Sequence, residues 1–327
     1  MTESAMDSAD GAQPATPGSY GRLPRDYRLP EGIRLGAVRL QIADLDRSLA
    51  FYQTTLGLRV LRRNGPHAVL GAHADDTPLV MLHERPGART APTRSRLGLF
   101  HFAILLPDRP SLGRFVRHLA QIDAAAGASD HLVSESLYLR DPDNLGIEVY
   151  ADRPRSTWRR VGRQLMMATD PLDVRGLERA AGDAAWTGMP PGTVVGHVHL
   201  HVGDLSVASD FFGEALGLDI TVWDYPGALF FAARSYHHHL GANVWAGRDA
   251  QPPTEDDAQL LEWTIELPDV ASLGLLADSL ARAGRPVEHV ERAGAQPAVL
   301  TRDPWGTRLR ADVAQEGLRN VSPAPYT

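Results

Sequence analysis

Residues 136–154 read SLYLRDPDNLGIEVYADRP. Two apolar, β-prone runs flank the turn-forming tetrapeptide DPDN, a pattern that predicts a β-hairpin with a polar connection. Inside the second run Glu148 stands between Ile147 and Val149. Taken alone this is ordinary strand alternation, with the glutamate facing solvent and its neighbours facing the core. A buried carboxylate would instead have to be paired, hydrogen-bonded or bound to a metal. Histidines at matching positions elsewhere in the chain favour the second reading.

The chain has 327 residues, 43% of them hydrophobic, enough for two domains with real cores. Its formal net charge of −7 argues against nucleic acid or an anionic membrane as the main partner. There are no cysteines, which excludes disulfides, thiolate nucleophiles, iron–sulfur clusters and cysteine-ligated zinc; the 13 histidines are the natural metal ligands. No apolar run has the length of a membrane span. Residues 1–30, rich in Ala, Ser, Asp, Gly and Pro, lack the apolar stretch of a signal peptide and read as a disordered N-terminal arm. A cytoplasmic location is the expectation that follows.

An internal repeat organises the rest. Gly36 recurs as Gly196, Asp44-Leu45 as Asp204-Leu205, Phe51 as Phe211, and Leu56-Gly57-Leu58 as Leu216-Gly217-Leu218, all offset by 160 positions. A second pair of units shares Pro107-Asp108 with Pro268-Asp269, Ser111-Leu112-Gly113 with Ser272-Leu273-Gly274, and Asp141-Pro142 with Asp303-Pro304. Each unit reads as an alternating strand, an Asp-capped amphipathic helix and three short strands. These β-α-β-β-β modules lie near residues 34–86, 97–154, 194–247 and 260–314. The expected organisation is a first half over 31–154, a polar linker over 155–193, a second half over 194–314 and a C-terminal tail over 315–327.

Four such modules resemble the vicinal oxygen chelate superfamily, over nearly the whole chain after residue 30. The strings GLFHFAILLPDR, LYLRDPDNLGIEVYADRP, MATDPLD, GHVHLHVGDL and YHHHLGANVW resemble its CatE-like catechol 2,3-dioxygenase (extradiol dioxygenase) branch. The resemblance implies an α+β, glyoxalase-like fold of two curved mixed sheets. It also implies metal ligands on the first and last strands of a module. Counting back from the helix-capping aspartates places Ala37, His101, His197 and Glu262 at the first-strand position. The last strands offer Val80, Glu148, Asn243 and Arg310. Only the middle modules supply a chemically sound set, His101, Glu148 and His197. Modules 2 and 3 must therefore share the metal cup, with modules 1 and 4 forming the other and Glu262 pairing with Arg310.

Two imidazoles and a carboxylate form the facial triad of non-haem Fe(II) oxygenases, which leaves positions for a catechol and O2. Fe(II) is the expected cofactor, with Mn(II) as a substitute. His199 and His201 alternate with His197 along one strand and face the same side. His199 is expected to support the metal ligands; His201 reads equally as an edge histidine. The resemblance implies a pocket histidine near the YHHH run, where His239 is the nearest match among His237, His238 and His239. It also implies a pocket tyrosine at Tyr138. The expected activity is extradiol cleavage of a catechol in aromatic compound catabolism, with a homo-oligomer allowed by exposed sheet edges. Two rivals on the same fold are a metal-dependent glyoxalase-like lyase or isomerase and a non-catalytic, antibiotic-binding protein. The former generally needs a second acidic ligand where this chain has Asn243, and the latter needs no triad.

Overall fold

A computed structural model describes residues 11–291 and 296–314. Each module contributes four strands. In module 1 these are β1 (Val38–Ile42), β2 (Arg59–Asn64), β3 (His67–Gly71) and β4 (Pro78–Glu84). Module 2 supplies β5 (Gly98–Leu105), β6 (Gly127–Asp130), β7 (Ser134–Arg140) and β8 (Gly146–Asp152). Module 3 supplies β9 (Val194–His201), β10 (Asp219–Val222), β11 (Ala228–Ala232) and β12 (Leu240–Asn243). Module 4 supplies β13 (Gln259–Leu267), β14 (Glu288–Val290), β15 (Ala298–Arg302) and β16 (Arg308–Val313).

Within every module the first and last strands pair in parallel and the remaining strands add antiparallel. Modules 2 and 3 join through antiparallel β5 and β9, giving the order β6-β7-β8-β5-β9-β12-β11-β10. Modules 1 and 4 join through β1 and β13 in the order β2-β3-β4-β1-β13-β16-β15-β14. Leu35 pairs with both Val195 and Ile265 and links the two arrays. The α+β arrangement of curved mixed sheets is therefore the one expected, with modules 2 and 3 in one cup.

The helices are α1 (Leu45–Thr54), α2 (Arg109–Gln121), α3 (Val174–Ala180), α4 (Leu205–Ala208) and α5 (Val270–Arg282). Asp44, Asp108, Asp204 and Asp269 each accept a backbone N–H three residues on, so the repeated aspartates are true N-caps. The third module departs from the plain helix expected there, because α4 passes into a π-helical turn over Ser209–Ala215.

Alternation sets which residues meet the cup. Phe102, Ile104, Ile147, Val149, Val198 and Leu200 enter the main hydrophobic core with Leu112 and Phe115 of α2. The intervening His101, Glu148, His197 and His199 point the other way and are buried too. A one-residue slip would exchange these faces. Each aliphatic or aromatic side chain it displaced would forfeit about 1.5–3 kcal/mol of burial.

The arm expected over residues 1–30 needs correction beyond residue 10, the first ten residues lying outside the described chain. Gln13 and Pro14 pair with Arg160 and Arg159, and Tyr20 and Leu29 are buried. Arg28 donates to the buried Asp219 through Nε at 2.6 Å. The composition is disorder-like, yet these few anchors suffice to seat the segment on module 3. The 315–327 tail lies outside the described residues. Among the described residues no helix is long and apolar enough to cross a membrane.

Gly196 marks the seam between modules 2 and 3. The register of β5 against β9 shifts between Val195 and His197, and a Cβ at Gly196 would run into the ring end of Tyr150. Tyr150 is fully buried and its hydroxyl is bonded to Tyr236, so it cannot swing aside. Gly196→Ala should cost about 1–3 kcal/mol, the usual penalty for overpacking. Urea denaturation reads this as a lower midpoint at unchanged slope; an unshifted midpoint would contradict the close approach.

Candidate metal centre

The DPDN turn sets the hairpin that carries Glu148. Asp141 accepts the backbone N–H of Asp143 and Leu145 at 2.9 and 2.8 Å, and Asn144 takes the left-handed conformation at φ 66°. That fixes the β7–β8 register with Tyr138 directly opposite Glu148. The two side chains therefore lie on one face of the hairpin.

Ala103 of β5 lies beside Glu148 of β8 on one side and His197 of β9 on the other. The three form a row across the sheet, and the small middle side chain leaves a floor over which the outer two converge. His101, two residues back on β5, closes the third side. The Nε2 atoms of His101 and His197 stand 2.9 and 3.0 Å from Glu148 Oε2, and 3.3 Å from each other. Ligands at right angles, each about 2.1 Å from a common ion, would be about 3 Å apart. The three donor atoms match that spacing.

Burial pushes both imidazoles, His101 and His197, below their ordinary pKa, with Glu148 only partly offsetting it. Burial alone would push Glu148 up, but the two imidazoles hold it well below the usual carboxylate range. Neutral imidazoles beside an ionised carboxylate are the protonation states a divalent ion requires.

These donors open into a cavity of about 250 Å³. Phe100, Tyr225, Phe230 and Trp245 supply its aromatic wall, and Met167, Ala168 and Thr169 cross it from the linker. Among the described residues, Glu148 is the only carboxylate that lines the space, and no Lys or Arg side chain lines it. Phe231, beside Phe230, belongs instead to the hydrophobic core, and Trp223 lies under the Arg22 guanidinium. A second, more open cavity of about 480 Å³ runs along the other side of Phe100, His101 and Tyr138.

Three sequence expectations change. His239 does not line the cavity; its Nδ1 accepts the backbone N–H of Ala233 at 3.1 Å, and burial lowers its pKa to about 3. The pocket histidine is His238, whose ring lies 4.2 Å from that of His197. His199 makes no hydrogen bond to a ligand residue. Its ring packs edge-on to His101 at 5.0 Å, and its buried Nε2 has no partner. An unpartnered nitrogen in a cavity wall is costly unless a bound molecule satisfies it. Glu262 lies 3.8 Å from Arg308, while Arg310 bonds Asp312 at 2.8 Å, so the expected Glu262–Arg310 pair is replaced.

Sheet register fixes which side chains face one another across the seam. His199, not His197, faces His101 directly across β5 and β9. His197 in turn faces Ala103, the pairing that a two-fold relating His101 to His197 requires, in keeping with their equal spacing from the capping aspartates. His201 turns to Asn243, with Nδ1 2.7 Å from its Oδ1, and stays outside the cavity.

His131 went unnoticed in the sequence. Its Nε2 lies 2.5 Å from the Tyr138 hydroxyl and its Nδ1 2.6 Å from Ala168 O, so one histidine ties the tyrosine to the linker. Leu132 at φ 68° interrupts strand alternation, so counting by twos back from Tyr138 could not find it. Burial pushes the Tyr138 hydroxyl well above the ordinary tyrosine range, so it stays protonated.

A family model described as the Glyoxalase/Bleomycin resistance protein/Dioxygenase superfamily matches residues 34–149 and 194–315. A catechol-2,3-dioxygenase of Bacillus subtilis (strain 168) is 45% identical over 266 residues, covering 80% of this chain and 93% of that protein. Among solved structures, glyoxalase I from Zea mays superposes with a TM-score of 0.54 at 17% identity, over 89% of this chain and 95% of the other. The last likeness is one of fold.

Titrating the metal-free protein with Mn(II) should show one ion per chain. Glu148→Ala removes the only anionic donor and should weaken that uptake by more than about 100-fold, beyond the loss expected from disturbing a supporting residue. Undiminished uptake would mean that the three atoms do not serve one ion.

Proposed function

The chain belongs to the glyoxalase/bleomycin resistance protein/dioxygenase superfamily, and from that premise we propose that it is an Fe(II)-dependent extradiol dioxygenase, opening the ring of catechol or a substituted catechol with O2. One observation carries the reading: His101, His197 and Glu148 converge on one point in the wall of an aromatic cavity that holds no other charge. Their arrangement leaves one side of that point open to the cavity. Ferrous iron bound there would supply the redox chemistry that joins dioxygen to the ring.

The protein's own residues do the rest. Phe100, Phe230 and Trp245 offer faces and edges against which a flat aromatic ring can pack. The cavity sits below the usual range of about 300–1,000 Å³ for small-molecule sites, which suits a single ring better than a fused polycycle. Tyr138, protonated and donating to His131 Nε2 because His131 Nδ1 must donate to the Ala168 carbonyl, can accept a hydrogen bond from a substrate hydroxyl. His238, across from His197, is placed to take a proton from a catechol hydroxyl and return it later.

The glyoxalase-like alternative has little support, because Asn243 bonds His201 and the Trp245 backbone, away from the donors. A purely sequestering role leaves the buried donor set without a purpose. In anaerobically iron-loaded protein, His238→Gln should lower catechol turnover about 10²–10⁴-fold, the usual worth of a general acid–base, while iron content holds. His239→Gln should cleave nearly as well as the parent. Absorbance of the ring-opened product and iron per chain check both; equal turnover in the two variants, or iron loss in His238→Gln, overturns the assignment.

A further inference from the structure

We propose that Asp152 and His237 act as a positioning dyad that fixes the tautomer of His238, presenting its Nε2 lone pair to the cavity. The catalytic consequence rests on the dioxygenase reading above; the hydrogen-bond chain itself stands on geometry alone. Asp152 ends β8, four residues beyond Glu148, and retains some exposure. His237 is completely buried, its Nε2 2.9 Å from Asp152 Oδ1. The Nδ1 atoms of His237 and His238 are 2.7 Å apart. His238 lines the cavity, so with its Nδ1 engaged the nitrogen left to the cavity is Nε2.

The direction of each bond follows from what each group can do. A carboxylate only accepts, so the His237 proton sits on Nε2. A neutral ring then has a bare Nδ1, which can only accept from His238. His238 must therefore carry its proton on Nδ1 and leave Nε2 free. The logic is that of a carboxylate holding an imidazole in its working tautomer, with one more ring interposed.

Neighbouring residues hold this chain rigid. Trp158 packs against His237 at 5.4 Å, and the Arg155 guanidinium lies over Trp158 and Tyr236. Tyr236 also donates to Asp152 Oδ1 at 3.3 Å and exchanges a hydrogen bond with Tyr150 at 2.9 Å. When Nε2 takes a substrate proton, the positive charge is stabilised through two existing hydrogen bonds by Asp152.

The test uses Asp152→Asn, which keeps shape, removes the charge and turns one of the two accepting oxygens into an amide donor. Nitrogen NMR of histidine-labelled, metal-free protein, with His238→Gln to assign the signal, should show His238 protonated at Nδ1 in the parent and at Nε2 in Asp152→Asn. In iron-loaded protein the same variant should lower kcat for catechol about 10²-fold, the low end for general acid–base catalysis. KM and iron content should stay within twofold, and Asp152→Glu should recover part of the rate. If Asp152→Asn folds poorly, His237→Phe keeps a ring in place, cuts the chain and should leave His238 a mixture of tautomers. An Nε2–H tautomer in the parent, or one unchanged in the folded variant, overturns the dyad. A parent that binds iron but never cleaves catechol overturns the functional reading and leaves the NMR result to decide the dyad.

Discussion

Antiparallel pairing of β5 with β9 is the contact on which the site depends. It alone brings His101 from one half of the chain to His197 from the other. Had each half folded on its own, first module against second and third against fourth, Glu148 and His101 would share a cup that His197 never entered. The seam is where the observed arrangement is made. There Gly196 permits the close approach, Tyr150 fills against it, and Ala103 leaves open floor between Glu148 and His197. A larger residue at either small position would close the seam or fill the cup.

Burying three ionisable side chains in one place has a second consequence. Carboxylate and imidazoles must settle their charges among themselves, because the aromatic walls offer no counter-ion. The two rings stay neutral and Glu148 stays ionised, leaving one negative charge awaiting a cation. Around this centre the histidines divide by what their second nitrogen touches. His237 reaches a carboxylate, His239 a backbone N–H and His201 an amide, whereas His199 keeps Nε2 unpartnered beside the cavity. Proximity alone would not have sorted them.

Much of this was legible in the sequence, and what was not has identifiable causes. The repeat, the aspartate caps and the chemistry of His101, Glu148 and His197 could be read because each is a matter of spacing or residue type. That His238 and not His239 lines the cavity was not legible, because the YHHH run precedes β12 and strand alternation does not extend into it. His131 was hidden by the positive φ of Leu132, which breaks the period of two. The order of residues 11–30 depends on distant partners such as Asp219, and local composition carries no trace of those.

The other cup shows how little the fold itself decides. Arg310 stands beside Thr264 as Glu148 stands beside Ala103, in the same parallel register of last strand on first. The turn before it is built alike, with Asp303 accepting the backbone N–H of Trp305 and Thr307 as Asp141 accepts those of Asp143 and Leu145. Backbone and turn are thus kept, yet a guanidinium occupies the carboxylate position and spends itself on Asp312. A cation placed there would meet a fixed positive charge where its partner cup offers a negative one. Since the same chain builds both cups, the difference in chemistry rests on a few side chains and the register that aims them, and the sheet serves as the common support.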